Sequence, residues 1–103
     1  MKQTITLEQL HSLDSQSNFL YEKYCLQINK QPSSLLTIGE MIQFLDEQSD
    51  YSITKTFVGG SNNRYWAIRE VGSKMARYYH KELADTLFSA VREVLYKQSI
   101  WNT

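Results

Sequence analysis

Two runs dense in β-branched and aromatic residues, "YSITKTFV" at 51–58 and "RYWAIREV" at 64–71, stand on either side of "GGSNN" at 59–63. Parallel strands need a crossover of a dozen or more residues, so a five-residue connection forces these runs to be antiparallel. The loop has the chemistry of a tight reversal, since two glycines tolerate positive φ and Ser and Asn bond their own backbone. A lone two-stranded hairpin is marginal in water, so the rest of the chain has to cover one of its faces. Strand alternation sends Trp66 and Ile68 to one face and Tyr65, Ala67 and Arg69 to the other.

The cover is legible on both sides. In "KELADTLFSAVREVLYKQ", 81–98, Leu83, Ala84, Leu87, Phe88, Val91, Val94 and Leu95 fall on one broad helical face. Before the hairpin, "TIGEMIQFLDEQ" opens with Thr37 and Glu40 at capping-box spacing, and Ile38, Met41, Ile42 and Leu45 line one side. The expected shared core is Trp66, Ile68, Leu87, Val91, Leu45 and Ile42. Upstream, Thr6 and Gln9 form another capping box, and apolar residues from Leu7 to Ile28 recur at helical spacing. A helix is expected over 6–29, with "DSQSN" at 14–18 as the place to kink or split it. Pro32, the chain's one proline, sits in "KQPSS" and marks a turn. Segment 73–79 reads either as a short third strand or as an early start of the last helix.

The sequence therefore predicts a single α+β domain over 1–103. Its parts are an N-terminal helical arm at 1–32 and an α-β-β-α core at 37–97, in which the long last helix packs on the sheet. At 103 residues, 42% hydrophobic and 21% charged, the chain has the composition of a soluble globular domain. Formal net charge is zero, which argues against a dedicated nucleic-acid binder. The mean conceals a split: 1–63 carries a net of −3 and 64–103 a net of +3. One cysteine, Cys25, excludes an intrachain disulfide, and no apolar run has the length of a signal peptide or a membrane span. A cytoplasmic protein without membrane attachment is expected.

No catalytic or cofactor signature is present. His11, His80 and Cys25 show no metal-ligand spacing, so no metal or cofactor is expected. Cys25 shares the apolar side of the first helix with Tyr24 and Ile28 and reads as a small hydrophobe. "GGSNN" leads into a strand, whereas a phosphate loop leads into a helix N-terminus. What remains is the basic and aromatic segment 64–81. Arg64, Tyr65, Arg69, Lys74, Arg77, Tyr78 and Lys81 are the candidate partner-binding residues. Alternation spreads them over both faces of the sheet and the start of the last helix, which favours structural and protein-binding roles over a nucleic-acid platform.

Two resemblances bear on function. "GSKMA" at 72–76 is similar to the lysine-rich start of the last helix in double-stranded-RNA-binding domains, which implies contacts to RNA phosphates. Lys74 and Arg77 match that basic cluster in kind but not in spacing, and the 59–63 loop lacks the family's proline and histidine. "TIGEMIQFLDE", "YWAI" and "KELADTLFSAVREVL", spanning 37–97, resemble short α+β proteins of bacteriophages and mobile elements. That resemblance implies a non-enzymatic accessory protein binding a host or phage protein, and carries over no catalytic position. Nucleic-acid binding through 64–81 is the alternative. Open strand edges, the charge split and an apolar stripe through Leu13, Leu20, Tyr24 and Ile28 further predict a homodimer, with the first helix in its interface.

Overall fold

The helix expected over 6–29 is two helices, because the chain caps it twice. The computed structural model describes residues 2–57, 64–74 and 76–101. In it α1 (Leu7–His11) starts at the Thr6–Gln9 capping box, with both reciprocal bonds made. Asp14 then takes an extended backbone and accepts from the Ser17 N–H, starting α2 (Ser15–Gln27). An N-cap at Asp14 is incompatible with continuous helix through it. The split therefore falls at the front of "DSQSN". At the far end Asn29 adopts φ 62, with Asn29 N–H on the Leu26 carbonyl and Lys30 N–H on the Cys25 carbonyl at 2.8 Å. This is a Schellman ending with asparagine in the left-handed position, and it turns the chain before Pro32 does.

α3 (Ile38–Gln48) follows, opened by the Thr37–Glu40 capping box. Glu40 also holds Lys30 at 2.6 Å, tying the end of α2 to the start of α3. β1 (Tyr51–Phe57) and β2 (Arg64–Glu70) pair antiparallel in unbroken register from Tyr51 with Glu70 to Phe57 with Arg64. The expected loop at 59–63, with Val58, lies outside the described residues. Segment 73–79 resolves in favour of a third strand, β3 (Arg77–His80), giving an antiparallel sheet in the order β1-β2-β3. α4 (Leu83–Trp101) closes the chain and runs further than the sequence pattern indicated.

The helices lie on one side of the sheet. α4 packs against α2, α3, β2 and β3. Its Ala84, Leu87, Phe88, Ala90, Val91 and Leu95 are buried with Ile68, Met41, Phe44 and Leu45. Much of the core comes from upstream: Ile5, Leu10, Tyr21, Tyr24, Cys25 and Leu36 are buried in the same cluster. The N-terminal stripe expected at a dimer interface is thus spent within its own chain, with Leu13, Leu20 and Ile28 packed on that cluster. Residues 3–5 run beside 36–38, where Ile5 N–H meets the Leu36 carbonyl and Ile38 N–H the Gln3 carbonyl. Asp85 on α4 accepts from Lys2 Nζ at 2.5 Å and from Gln9 Nε2 at 2.8 Å. Burial alone would raise that carboxyl, but these two donors more than offset it and hold it below the usual range.

Two expected core residues fall elsewhere. Ile42 is 39% exposed and Trp66 is half-buried, although Ile68, Leu87, Val91 and Leu45 are all buried. Trp66 does face the helices, as alternation indicated, but it lies toward the hairpin end of β2. There its ring meets Lys55 Nζ at 5.2 Å from the centroid. Ile42 lies on the side of α3 that looks along β1, with Asp46, Tyr51 and Ile53 around a groove of about 50 Å³.

A phenol on α2 fastens the segment that leads into α3. The Tyr21 hydroxyl donates to the Ser34 carbonyl at 2.5 Å and accepts from the buried Leu36 N–H at 3.1 Å. Burial holds this phenol well above its usual pKa. Tyr21→Phe keeps the ring but strands both backbone groups, so stability should fall by about 1–3 kcal/mol. Urea unfolding measures it; a midpoint equal to that of the native chain would show that water replaces the hydroxyl at no cost.

Candidate protein-interaction surface

The register of the sheet sorts the basic and aromatic segment residue by residue. Ile68, Glu70 and Tyr51 line a cleft with α4, so the even positions of β2 and the odd positions of β1 face the helices. Arg64 is among them, with its guanidinium carbon 5.4 Å from the centre of the Phe57 ring. Tyr65, Ala67 and Arg69 face the opposite way, beside Ser52, Thr54 and Thr56 of β1.

β3 adds an irregularity that alternation does not anticipate. Trp66 pairs with His80 but Ile68 with Arg77, so three residues of β3 span what two span on β2. The extra residue is accommodated at Tyr78, which takes φ 63. A bulge of this kind turns two consecutive side chains to the same side. Arg77 pairs with Glu93 of α4 at 3.1 Å, and Tyr78 is half-buried against the core. Both are therefore committed to holding β3 on α4. Beyond the bulge His80 returns to the helix side, its Nε2 3.0 Å from Ser89 Oγ, and Tyr79 faces outward, 44% exposed. Continuing the Trp66–His80 register sets Tyr79 beside Ala67 and Lys81 beside Tyr65, where Lys81 Nζ lies 6.0 Å from the ring centre.

Of the seven candidate residues, the structure brings Tyr65, Arg69 and Lys81 together on the open face of the sheet. It adds Tyr79, which the sequence pattern did not single out. Arg64, Arg77 and Tyr78 belong to the helix side, and Lys74 is exposed in the turn between β2 and β3. The open face has no carboxylate at its described strand positions. It is centred on Ala67, whose small side chain is wholly buried among its neighbours.

The free edge of β1 is a separate feature. Val71 N–H donates to the Asp50 carbonyl at 2.8 Å, one step beyond the Tyr51–Glu70 pair. In an antiparallel ladder, residues that exchange such bonds alternate with residues that do not. Ser52, Thr54 and Thr56 therefore bond to β2, while Tyr51, Ile53, Lys55 and Phe57 direct N–H and C=O to the outer edge. No described strand pairs with that edge. It carries one charge and no proline, and Ile53, Phe57 and Ile42 are exposed along it.

The helix side offers other chemistry. His80 and Ser89 stand within reach of a base and nucleophile, a pairing invisible in the sequence because nine positions separate them. Among the described residues no carboxylate hydrogen-bonds the other His80 nitrogen. The contact joins β3 to α4. Beside it, a cleft of about 340 Å³ between the α1–α2 corner and α4 is lined by Ser12, Ser17, Tyr78, Arg92 and Tyr96 among others. The buried Ser17 hydroxyl has no hydrogen-bond partner. The described residues contain no group of three or more metal-ligating side chains, and no described helix is long and apolar enough to cross a membrane. Cys25 is fully buried, and burial pushes its thiol up, away from the reactive thiolate. No family model, curated protein or solved structure matches this chain.

The ladder parity gives a sharp expectation for proline. Lys55→Pro removes an N–H that points away from β2, whereas Thr54→Pro removes one that points into it. In dilute solution Lys55→Pro should melt close to the native chain, and Thr54→Pro should lose about 1–3 kcal/mol or more. Thermal melts of the two variants compare them directly, and the reverse order would overturn the assignment of the free edge.

Proposed function

We propose that the protein is a non-enzymatic interaction module whose open sheet face binds an acidic surface on another protein. The observation that carries this reading is the composition of that face. Tyr65 and Tyr79 supply rings, Arg69 and Lys81 supply charge, and Ser52, Thr54, Thr56 and Ala67 keep the surface between them low. Aromatic residues and arginine are the types enriched where proteins bind one another. Opposite charge on the partner steers the encounter and fixes its orientation. In keeping with the resemblance of 37–97, the role is that of a small accessory protein of phage or mobile-element origin, acting on a host or phage protein in the cytoplasm.

The same rings and cations would also suit single-stranded nucleic acid, which stacks bases on aromatic side chains. The dispersal of the other cations favours protein. Arg77 is paired with Glu93 on the helix side, and Arg64 also lies on that side, over Phe57. A strand of nucleic acid would find two cations on the face itself, too few to track a run of phosphates.

Two measurements together test the reading. Binding to single- and double-stranded DNA and RNA should be absent even at low ionic strength. A pull-down from host lysate should capture a protein that an Arg69→Glu, Lys81→Glu double variant, melting like the native chain, fails to capture. Salt-dependent nucleic-acid binding lost in the same variant would replace the protein partner with a nucleic acid. Capture unaffected by the variant would remove the open face from the interaction.

A further inference from the structure

The free edge of β1 is complementary to itself. Its outward-facing backbone groups belong to Tyr51, Ile53, Lys55 and Phe57, so a second strand can bond only where those positions meet hydrogen-bonding positions of its own. For a second copy related by a two-fold axis, any register centred on a residue satisfies this, but only those centred on Ile53, Thr54 or Lys55 pair three or more of the four positions. Centring on Lys55 sets two ammonium groups opposite each other, and centring on Ile53 or Lys55 leaves one end of each strand unpaired. Centring on Thr54 uses the whole strand. It sets Tyr51 opposite Phe57 of the second copy and Ile53 opposite Lys55 of the second copy, each twice. Those four pairs exchange about eight N–H···O bonds.

We infer that two copies of this chain join through β1 in the Thr54-centred register, making one six-stranded antiparallel sheet with the helices of both copies on the same side. The side chains agree with the backbone. Tyr51, Ile53, Lys55 and Phe57 all face the helix side, so the exposed Ile53 (37%) and Phe57 (54%) come together across the junction beside the exposed Ile42. Aromatic pairs such as Tyr51 with Phe57 are among the stabilising cross-strand neighbours. Charge agrees as well. Asp46 lines the groove beside Ile53, and Lys55 of the second copy lies directly across from Ile53. Neither Asp46 nor Lys55 has an ion-pair partner among the described residues of its own chain. The inference rests on the strand edge, not on the open face, and the two can fail separately.

The register has a covalent test. In it Thr54 faces Thr54 of the second copy as a non-hydrogen-bonded pair, whose Cα atoms lie about 4.5 Å apart, within the range a disulfide bridges. Thr56 faces Ser52 instead, and its own counterpart is roughly 13 Å away. Under mild oxidation Thr54→Cys should form a covalent dimer, at a rate about tenfold or more above that of Thr56→Cys. The native chain, whose Cys25 is buried, should form none. Without oxidant, light scattering should give twice the 12.1 kDa chain mass at micromolar concentration, and Lys55→Pro should return it to the monomer. A monomeric native chain, equal cross-linking at 54 and 56, or a dimer that survives Lys55→Pro would each overturn the inference.

Discussion

The structure depends on the burial of α4 on several sides at once. Ala84, Leu87, Phe88, Ala90, Val91 and Leu95 are all buried, and the helix meets α2, α3, β2 and β3. An apolar surface wider than one stripe cannot be covered by a sheet alone. It draws the N-terminal helices over one flank and the sheet over the other. Thr86 shows how closely the two are fitted: its buried hydroxyl donates to the Trp66 carbonyl at 3.2 Å, fastening helix to strand through the backbone itself.

β1 is the element this arrangement serves least. It pairs with β2 along its whole length, yet Ile53, Lys55 and Phe57 on its helix side remain exposed. Among the described residues the sheet therefore ends on an edge with no strand paired to its backbone and with apolar side chains, the combination that natural sheets ordinarily block with charge, proline or a bulge. The opposite edge is managed in just those ways: β3 has four residues, a bulge at Tyr78 and an ion pair from Arg77. The asymmetry between the two edges supports an interacting role for β1. The open face, with its rings and cations, is a second surface that such pairing would double in area.

Local chemistry made much of the fold legible. Both capping boxes place a helix start at the first residue after Thr6 and Thr37, because side chain and backbone satisfy each other within four residues. Alternation along 64–69 assigned the two faces of β2 correctly. It could not say how far the helical cover reaches, and so it overstated the burial of Trp66 and Ile42. β3 was left open because the bulge breaks the alternation: Arg77 and Tyr78 face the same side, and no pattern with a period of two describes them. The candidate site was legible in composition but not in grouping. Tyr79 joins Tyr65 only through a strand pairing that local sequence does not encode, and Arg77 leaves the group because Glu93 stands sixteen positions away.

The central claim is that the sheet is completed between molecules, along the odd positions of β1. Amide hydrogen exchange measured over a range of protein concentrations addresses those positions one at a time. Ser52, Thr54 and Thr56 bond to β2 and should be protected at every concentration. Ile53, Lys55 and Phe57 should be protected at high concentration and lose that protection on dilution. Odd-position amides that exchange freely at all concentrations, while their even neighbours stay protected, would contradict the account.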